Sequence, residues 1–149
     1  MSLENEIKQT EFRNVYNRGI VNLIYTYNHV LAQLQGILHP RNLTLQQYNI
    51  LNILKGHHPQ SATNGLIRDR MLDKNSDVTR IVDRLIKEGL AKREHCSNDR
   101  RCVNIYITPK GLSLIEKMDV LSRDMDGILN KLSNQEAAEL NRLLDKIRE

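Results

Sequence analysis

The 149-residue chain has no apolar run long enough to cross a bilayer as a helix. Its first residues, Met1-Ser2-Leu3-Glu4-Asn5-Glu6, are too polar and acidic for a secretory signal, so the expectation is a cytoplasmic protein without membrane contact. Only two cysteines occur, which argues for a reducing compartment over a disulfide scaffold. The seven glycines are scattered and form no phosphate-cradling loop, and neither an H-E-x-x-H nor a nucleophile elbow is present. The expectation is a protein that is not an enzyme and holds no cofactor. His57-His58 and His95 lack the spacing of three or four converging ligands, so no metal is expected. No repeat, low-complexity tract or Pro/Gly-rich linker divides the chain, which reads as one domain over 1–149.

Charge is unevenly placed. The net charge is +4, and residues 68–110 hold 11 Lys/Arg against 7 Asp/Glu, while the remainder is balanced. A localised positive excess is the footprint of a polyanion binder, although a solvated mixed-charge surface gives the same count.

The apolar period is 3.6 nearly throughout. Residues 12–38 predict one long helix with a stripe of Ile20, Leu23, Ile24, Tyr27, Leu31, Leu34 and Leu38, stopped by Pro40. That stripe is longer than one small core covers, so part of it is expected to meet a second chain. Thr44-Leu45-Gln46-Gln47 is a capping box, with Leu43 and Tyr48 as its hydrophobic staple, opening a helix that runs to Lys55 and ends at Gly56. A loop at 57–61 and a short helix from Thr63 to Leu72 follow. Over 76–88 the apolar residues Val78, Ile81, Val82, Leu85 and Ile86 share one face, opposite Ser76, Asp77, Thr79, Arg80, Asp83, Arg84 and Lys87, and Gly89 ends the helix. The period then becomes two. Leu90–Cys96 and 102–107 read as a hairpin with a polar tip, Ser97-Asn98-Asp99-Arg100-Arg101. Thr108-Pro109 starts a helix expected to continue to Leu132, and Ser133-Asn134-Gln135-Glu136 caps the last one.

The fold class is therefore mainly α with a small β-hairpin wing: a winged helix-turn-helix. A pinned helix with Ser76, Asp77, Thr79, Arg80 and Arg84 on its outer side suits the major groove of duplex DNA. Arg100 and Arg101 at the tip suit the narrow minor groove, with Asp99 placed to pair with a guanidinium. The bland alternatives are a solvated helix face and a solvated turn. A further alternative is a winged helix that contacts protein only and binds no DNA.

Thr79-Arg80-Ile81-Val82-Asp83-Arg84-Leu85, Gly89-Leu90, Asp99-Arg100-Arg101 and Ile107-Thr108-Pro109-Lys110-Gly111 together resemble the signature of the multiple antibiotic resistance regulator (MarR) family. The likeness covers the DNA-binding lobe, roughly 44–112. It implies a winged-helix lobe over 40–110, and helical regions at 1–39 and 111–149 that join two copies as an obligate homodimer. It implies a transcriptional repressor on a pseudo-palindromic operator, with 76–84 as recognition helix, Arg101 as the minor-groove arginine and Asp99 as its brace. It also implies modulation by a small aromatic or anionic effector between the two regions. The chain departs from the family pattern at Arg68 and Asp69, where a small, alanine-rich face is usual. It also lacks the N-terminal cysteine of the peroxide-sensing branch.

Two minor constellations remain. Cys96 and Cys102 flank the tip and form a candidate redox pair, against the plainer reading of two reduced thiols. Tyr16, Tyr27, His39 and Tyr48, with Tyr25 and His29 nearby, are candidates for the effector pocket, though aromatics at helical spacing are more often core or interface. The sequence yields one direct expectation. Arg101→Ala should weaken duplex binding by about 1–3 kcal/mol and leave the oligomeric state unchanged; unaltered affinity in a binding titration would remove Arg101 from the interface.

Overall fold

Side-chain caps set most helix starts. The computed structural model describes residues 2–96, 99–120 and 122–149, and for Cys96, Asp99, Arg100, Arg101 and Cys102 only the backbone. The helices are α1 (Leu3–Ile7), α2 (Val15–Leu38), α3 (Leu45–His57), α4 (Asn64–Arg70), α5 (Val78–Lys87), α6 (Pro109–Asp119), α7 (Ser122–Asp126) and α8 (Asn134–Arg148), with the hairpin β1 (Ala91–Cys96) and β2 (Asp99–Ile107) between α5 and α6. Asn14, Thr44, Thr63, Asp77, Thr108 and Ser133 each accept a backbone N–H at the start of a helix. The boxes at Thr44–Gln47 and Ser133–Glu136 are both reciprocal. No helix among the described residues is long and apolar enough to cross a membrane.

Several boundaries differ from the sequence reading, each for a local reason. The first long helix begins at Val15 rather than residue 12, because Asn14 is its cap. Ahead of it stands α1, which the apolar pattern did not reveal. Leu3 is buried, and two side-chain hydrogen bonds tie α1 to α2: Arg18 Nε donates to Glu4 Oε1 at 2.7 Å, and the Tyr25 hydroxyl to Glu6 at 3.0 Å. The hydrogen bond from Arg18 holds the Glu4 carboxyl down to about 2, against an ordinary 4.5. α2 does end at Leu38, but His39 keeps a helical backbone (φ −57°, ψ −41°). Pro40 has no N–H to continue the ladder, so the chain tightens into a 3₁₀ turn, His39–Arg41, and leaves it at Asn42 (φ 55°). α3 runs through Gly56 to His57. It is stopped by His58, whose extended ψ of 134° is what a residue before proline adopts. The expected helix from 109 to Leu132 is interrupted: α6 ends at Asp119, α7 at Asp126, and a 3₁₀ turn covers Gly127–Leu129.

One core joins α2, α3, α4, α5, the hairpin and α6. It contains Leu38, Ile50, Leu54, Ile67, Val82, Leu85, Ile105, Ile115 and Met118, all at 0–1% exposure. The hairpin is antiparallel from Ala91↔Ile107 to His95↔Val103. Ala62, just after the loop expected at 57–61, adds a third edge: Ala62 N donates to Ile105 O and Ile105 N to Ala62 O, each at 2.9 Å. This bridge roots the wing in the lobe.

α5 and α6 are clamped together where the hairpin starts and ends. At the end of α5, Gly89 takes φ +72°. Gly89 N donates to Ile86 O and Leu90 N to Leu85 O, which returns the chain over the last turn with Leu90 and Leu85 both buried. From the start of α6, Thr108 Oγ1 donates to Gly89 O at 2.7 Å and Lys110 Nζ to Glu88 O at 2.7 Å. A Cβ on Gly111 would lie 2.2 Å from Leu90 O and 2.8 Å from Ile107 Cγ1. Backbone cannot yield cheaply there, so Gly111→Ala should cost about 1–3 kcal/mol, read as a lowered Tm. An unchanged Tm would show that α6 does not press on the turn after α5.

Candidate nucleic-acid interface

The energetics of α5 decide which of its residues can reach a ligand. Val78, Val82 and Leu85 are buried and Ile81 and Ile86 half-buried, fixing the helix about its axis. Burying a side chain of this size is worth about 1.5–3 kcal/mol. The opposite side carries Thr79, Arg80, Asp83, Arg84 and Lys87, all exposed. With Thr44 and Gln47 from the start of α3, Arg80, Asp83, Arg84 and Lys87 border an open cleft of about 430 Å³. Arg84 Nε lies 3.7 Å from Glu88 Oε1, a solvated pair of small value. Among the described residues, Arg80 and Lys87 have no ion pair.

The five major-groove candidates separate in the structure. Thr79, Arg80 and Arg84 stand on the outer side. Asp77 is the N-cap of α5, its carboxylate accepting from Arg80 N at 3.1 Å. The Ser76 hydroxyl oxygen is buried without a hydrogen-bond partner, turned away from that side. Lys87, Thr44 and Gln47 join the cleft without having been singled out. Lys87 was legible as an outer-face residue, whereas nothing in the sequence placed the α3 start beside α5. Gln47 is 2% exposed, and its amide donates to Glu88 at 3.3 Å.

The wing is tied to α5 by an ion pair from Arg93 on β1 to Asp83. On its other face Lys92 bonds Glu94 at 2.7 Å and sits 5.0 Å from the Tyr106 ring centroid. The tip is shorter than expected, because the β2 backbone begins at Asp99 and takes Arg100 and Arg101 into the strand. Register shifts after His95, so Cys96 opposes Asp99 and not Cys102. The side chains of Asp99, Arg100, Arg101, Cys96 and Cys102 lie outside the described residues.

The aromatic candidates do not converge. Tyr16 is 80% exposed and Tyr27 64%. His39 is exposed, and Tyr48 is half-buried against the core. Tyr27 alone of the four borders a cleft of about 90 Å³ between α2 and α3, shared with Leu31, Leu45, Asn49, Met71 and Leu72. The α2 stripe is largely bare: Ile20, Leu23, Ile24 and Tyr27 are all exposed. α8 has no buried residue, and Leu140, Leu143, Leu144 and Ile147 face Gly19 and Leu23 across an apolar groove of about 330 Å³.

Comparison with known proteins places this geometry. The family model described as MarR family matches residues 43–103. The HTH-type transcriptional regulator PecS of Dickeya dadantii (strain 3937) is 30% identical over 108 residues, 70% of this chain and 64% of PecS. The uncharacterized HTH-type transcriptional regulator YhbI of Bacillus subtilis (strain 168) is 33% identical over 111 residues, 74% of this chain and 71% of YhbI. The crystal structure of a MarR transcription factor from Planctomyces limnophilus superposes with a TM-score of 0.71 at 31% identity, covering 91% of this chain and 98% of that one. At lower identity the likeness is one of fold. A mutant MarR from E. coli complexed with operator DNA has a TM-score of 0.75 at 24% identity, covering 99% of both chains. BpsR of Bordetella bronchiseptica, whose DNA binding is regulated by 6-hydroxynicotinic acid, has 0.76 at 23%, covering 85% of this chain and 96% of BpsR. Members of this family are transcription factors and not enzymes. The winged lobe, the helical flanks and these likenesses make the chain a member of the MarR family of transcriptional regulators.

Proposed function

We propose that the chain is a cytoplasmic transcriptional repressor that binds a pseudo-palindromic operator as a homodimer. α5 enters the major groove, with Thr79, Arg80 and Arg84 toward base edges or phosphates and Lys87 toward phosphate. Arg101, with Arg100 beside it and Asp99 as brace, takes the minor groove. The observation that carries this reading is the outer side of α5, where Arg80 and Lys87 stand unpaired among the described residues on a helix the core holds fixed. Arg is suited to guanine O6 and N7 or to phosphate, and both arrangements need a guanidinium not already engaged.

The domain division is a winged lobe over 40–110 with helical regions 1–39 and 111–149 as the dimerisation surface. Its support is the bare apolar side of α2 facing the equally bare α8. Two copies sharing these helices would cover Ile20, Ile24 and Ile147 and set half-sites about one helical turn, near 10 base pairs, apart. The effector is a small aromatic or anionic compound entering between α2 and α3. The cleft of about 90 Å³ at Tyr27 is small for a ligand site, which suits a compact compound, and the regulation of BpsR by 6-hydroxynicotinic acid supports that class.

Ile24→Asp should convert the dimer to a monomer in sedimentation velocity; a chain that is monomeric before the change would end the dimer assignment. Selection of bound duplexes from a random pool should enrich a palindrome. Affinity for it should fall as a power of salt concentration with a slope of about −0.9 per phosphate contacted. Absence of any duplex binding would favour the protein-contact reading.

A further inference from the structure

Asp83 is an anion placed among cations that the proposed function assigns to DNA. It borders the same cleft as Arg80, Arg84 and Lys87. On a helix its carboxylate is within reach of residue 80, three positions back, and residue 87, four positions on. It bonds neither. Its Oδ1 accepts from Nη2 of Arg93, on the first strand of the wing. The Arg93 side chain is 32% exposed and that of Asp83 55%, so the pair stands at the edge of the cleft, in reach of solvent.

We infer that the Asp83–Arg93 pair determines specificity for the proposed DNA face, an inference that rests on that reading. Arg93 holds Asp83 away from Arg80 and Lys87, leaving both cations free for the duplex. The carboxylate meanwhile keeps one negative charge beside the phosphate path. That charge opposes binding to every sequence alike, because phosphates carry no sequence information. The pair also fixes the base of the wing against the recognition helix, which matters only where both must be in register. The two residues therefore act with opposite sign on non-specific binding. Loss of Arg93 frees Asp83 to capture Arg80 or Lys87, and all duplex binding weakens. Loss of the Asp83 charge removes a repulsion, so non-specific binding tightens while operator binding gains less or falls.

The test uses the full chain with two probes: the duplex enriched from the random pool and a scrambled duplex of equal length, each titrated over a salt series. Arg93→Gln should lose about tenfold in affinity for both duplexes. Asp83→Asn should bind the scrambled duplex several-fold more tightly, with a steeper salt slope and a smaller operator-to-scrambled ratio. Asp83→Asn/Arg93→Gln should recover most of the loss seen in Arg93→Gln. Circular dichroism confirms that each variant is folded, and the double variant keeps the test decisive if one single variant is not. A simple structural brace would make both single variants weaken alike, with no recovery in the double. That pattern, or an unchanged ratio in Asp83→Asn, overturns the inference while leaving DNA binding intact. Enrichment of no duplex overturns DNA binding itself and the inference with it.

Discussion

The half-burial of α5 is the constraint from which the rest of the molecule follows. Val78, Val82 and Leu85 are held at 0–2% exposure, and that fixes where every other side chain of the helix points. A helix free to roll by one residue, about 100°, would carry Arg80 toward the core and Val82 toward water. The clamp at its far end serves the same purpose. Gly89 turns the chain at φ +72°, Thr108 and Lys110 bond the carbonyls of Gly89 and Glu88, and Gly111 lets α6 come within backbone contact of Leu90. The spacing Gly-Leu, then Ile-Thr-Pro-Lys-Gly, is thus one packing solution read twice along the chain. The wing emerges between those two stretches, so its direction is set by the same contacts.

Polar chemistry on the exposed side is divided by purpose. Asp77 is spent on the cap and Asp83 on Arg93, while Gln47 meets Glu88 from below. Arg80 and Lys87 are thereby left without an ion pair among the described residues. This division explains how a face with nearly as many carboxylates as cations can still present cations. It also explains why composition alone is a weak guide: a net charge of +4 says nothing about which acids are engaged.

Much of this was legible in the sequence, and the failures are instructive. The face of α5, the caps at Thr44, Thr108 and Ser133, and the hairpin pairing from Ala91 to His95 follow from period, cap chemistry and alternation, all of which are local. Non-local features were not legible. Nothing local shows that Ala62 will pair with Ile105 or that α1 will fold back onto α2 through Glu4 and Arg18. The break after Asp119 was also hidden, since the apolar spacing runs through it unchanged. Ser76 shows the limit at single-residue scale. It lies on the polar side by helical projection but just ahead of the helix, where the chain has left that geometry and its hydroxyl turns inward. Tyr16, His39 and Tyr48 were grouped by residue type, and type carries no information about convergence.

The central claim is that the outer side of α5, held by the core, is what meets the duplex. A titration of nitrogen-labelled protein with the enriched duplex, followed by backbone amide shifts, reads this residue by residue. The account predicts that the largest shifts cluster at Thr79, Arg80, Asp83, Arg84 and Lys87, with Val82 and Leu85 moving little. Shifts confined to α2 and α8, or spread evenly over the chain, would contradict it.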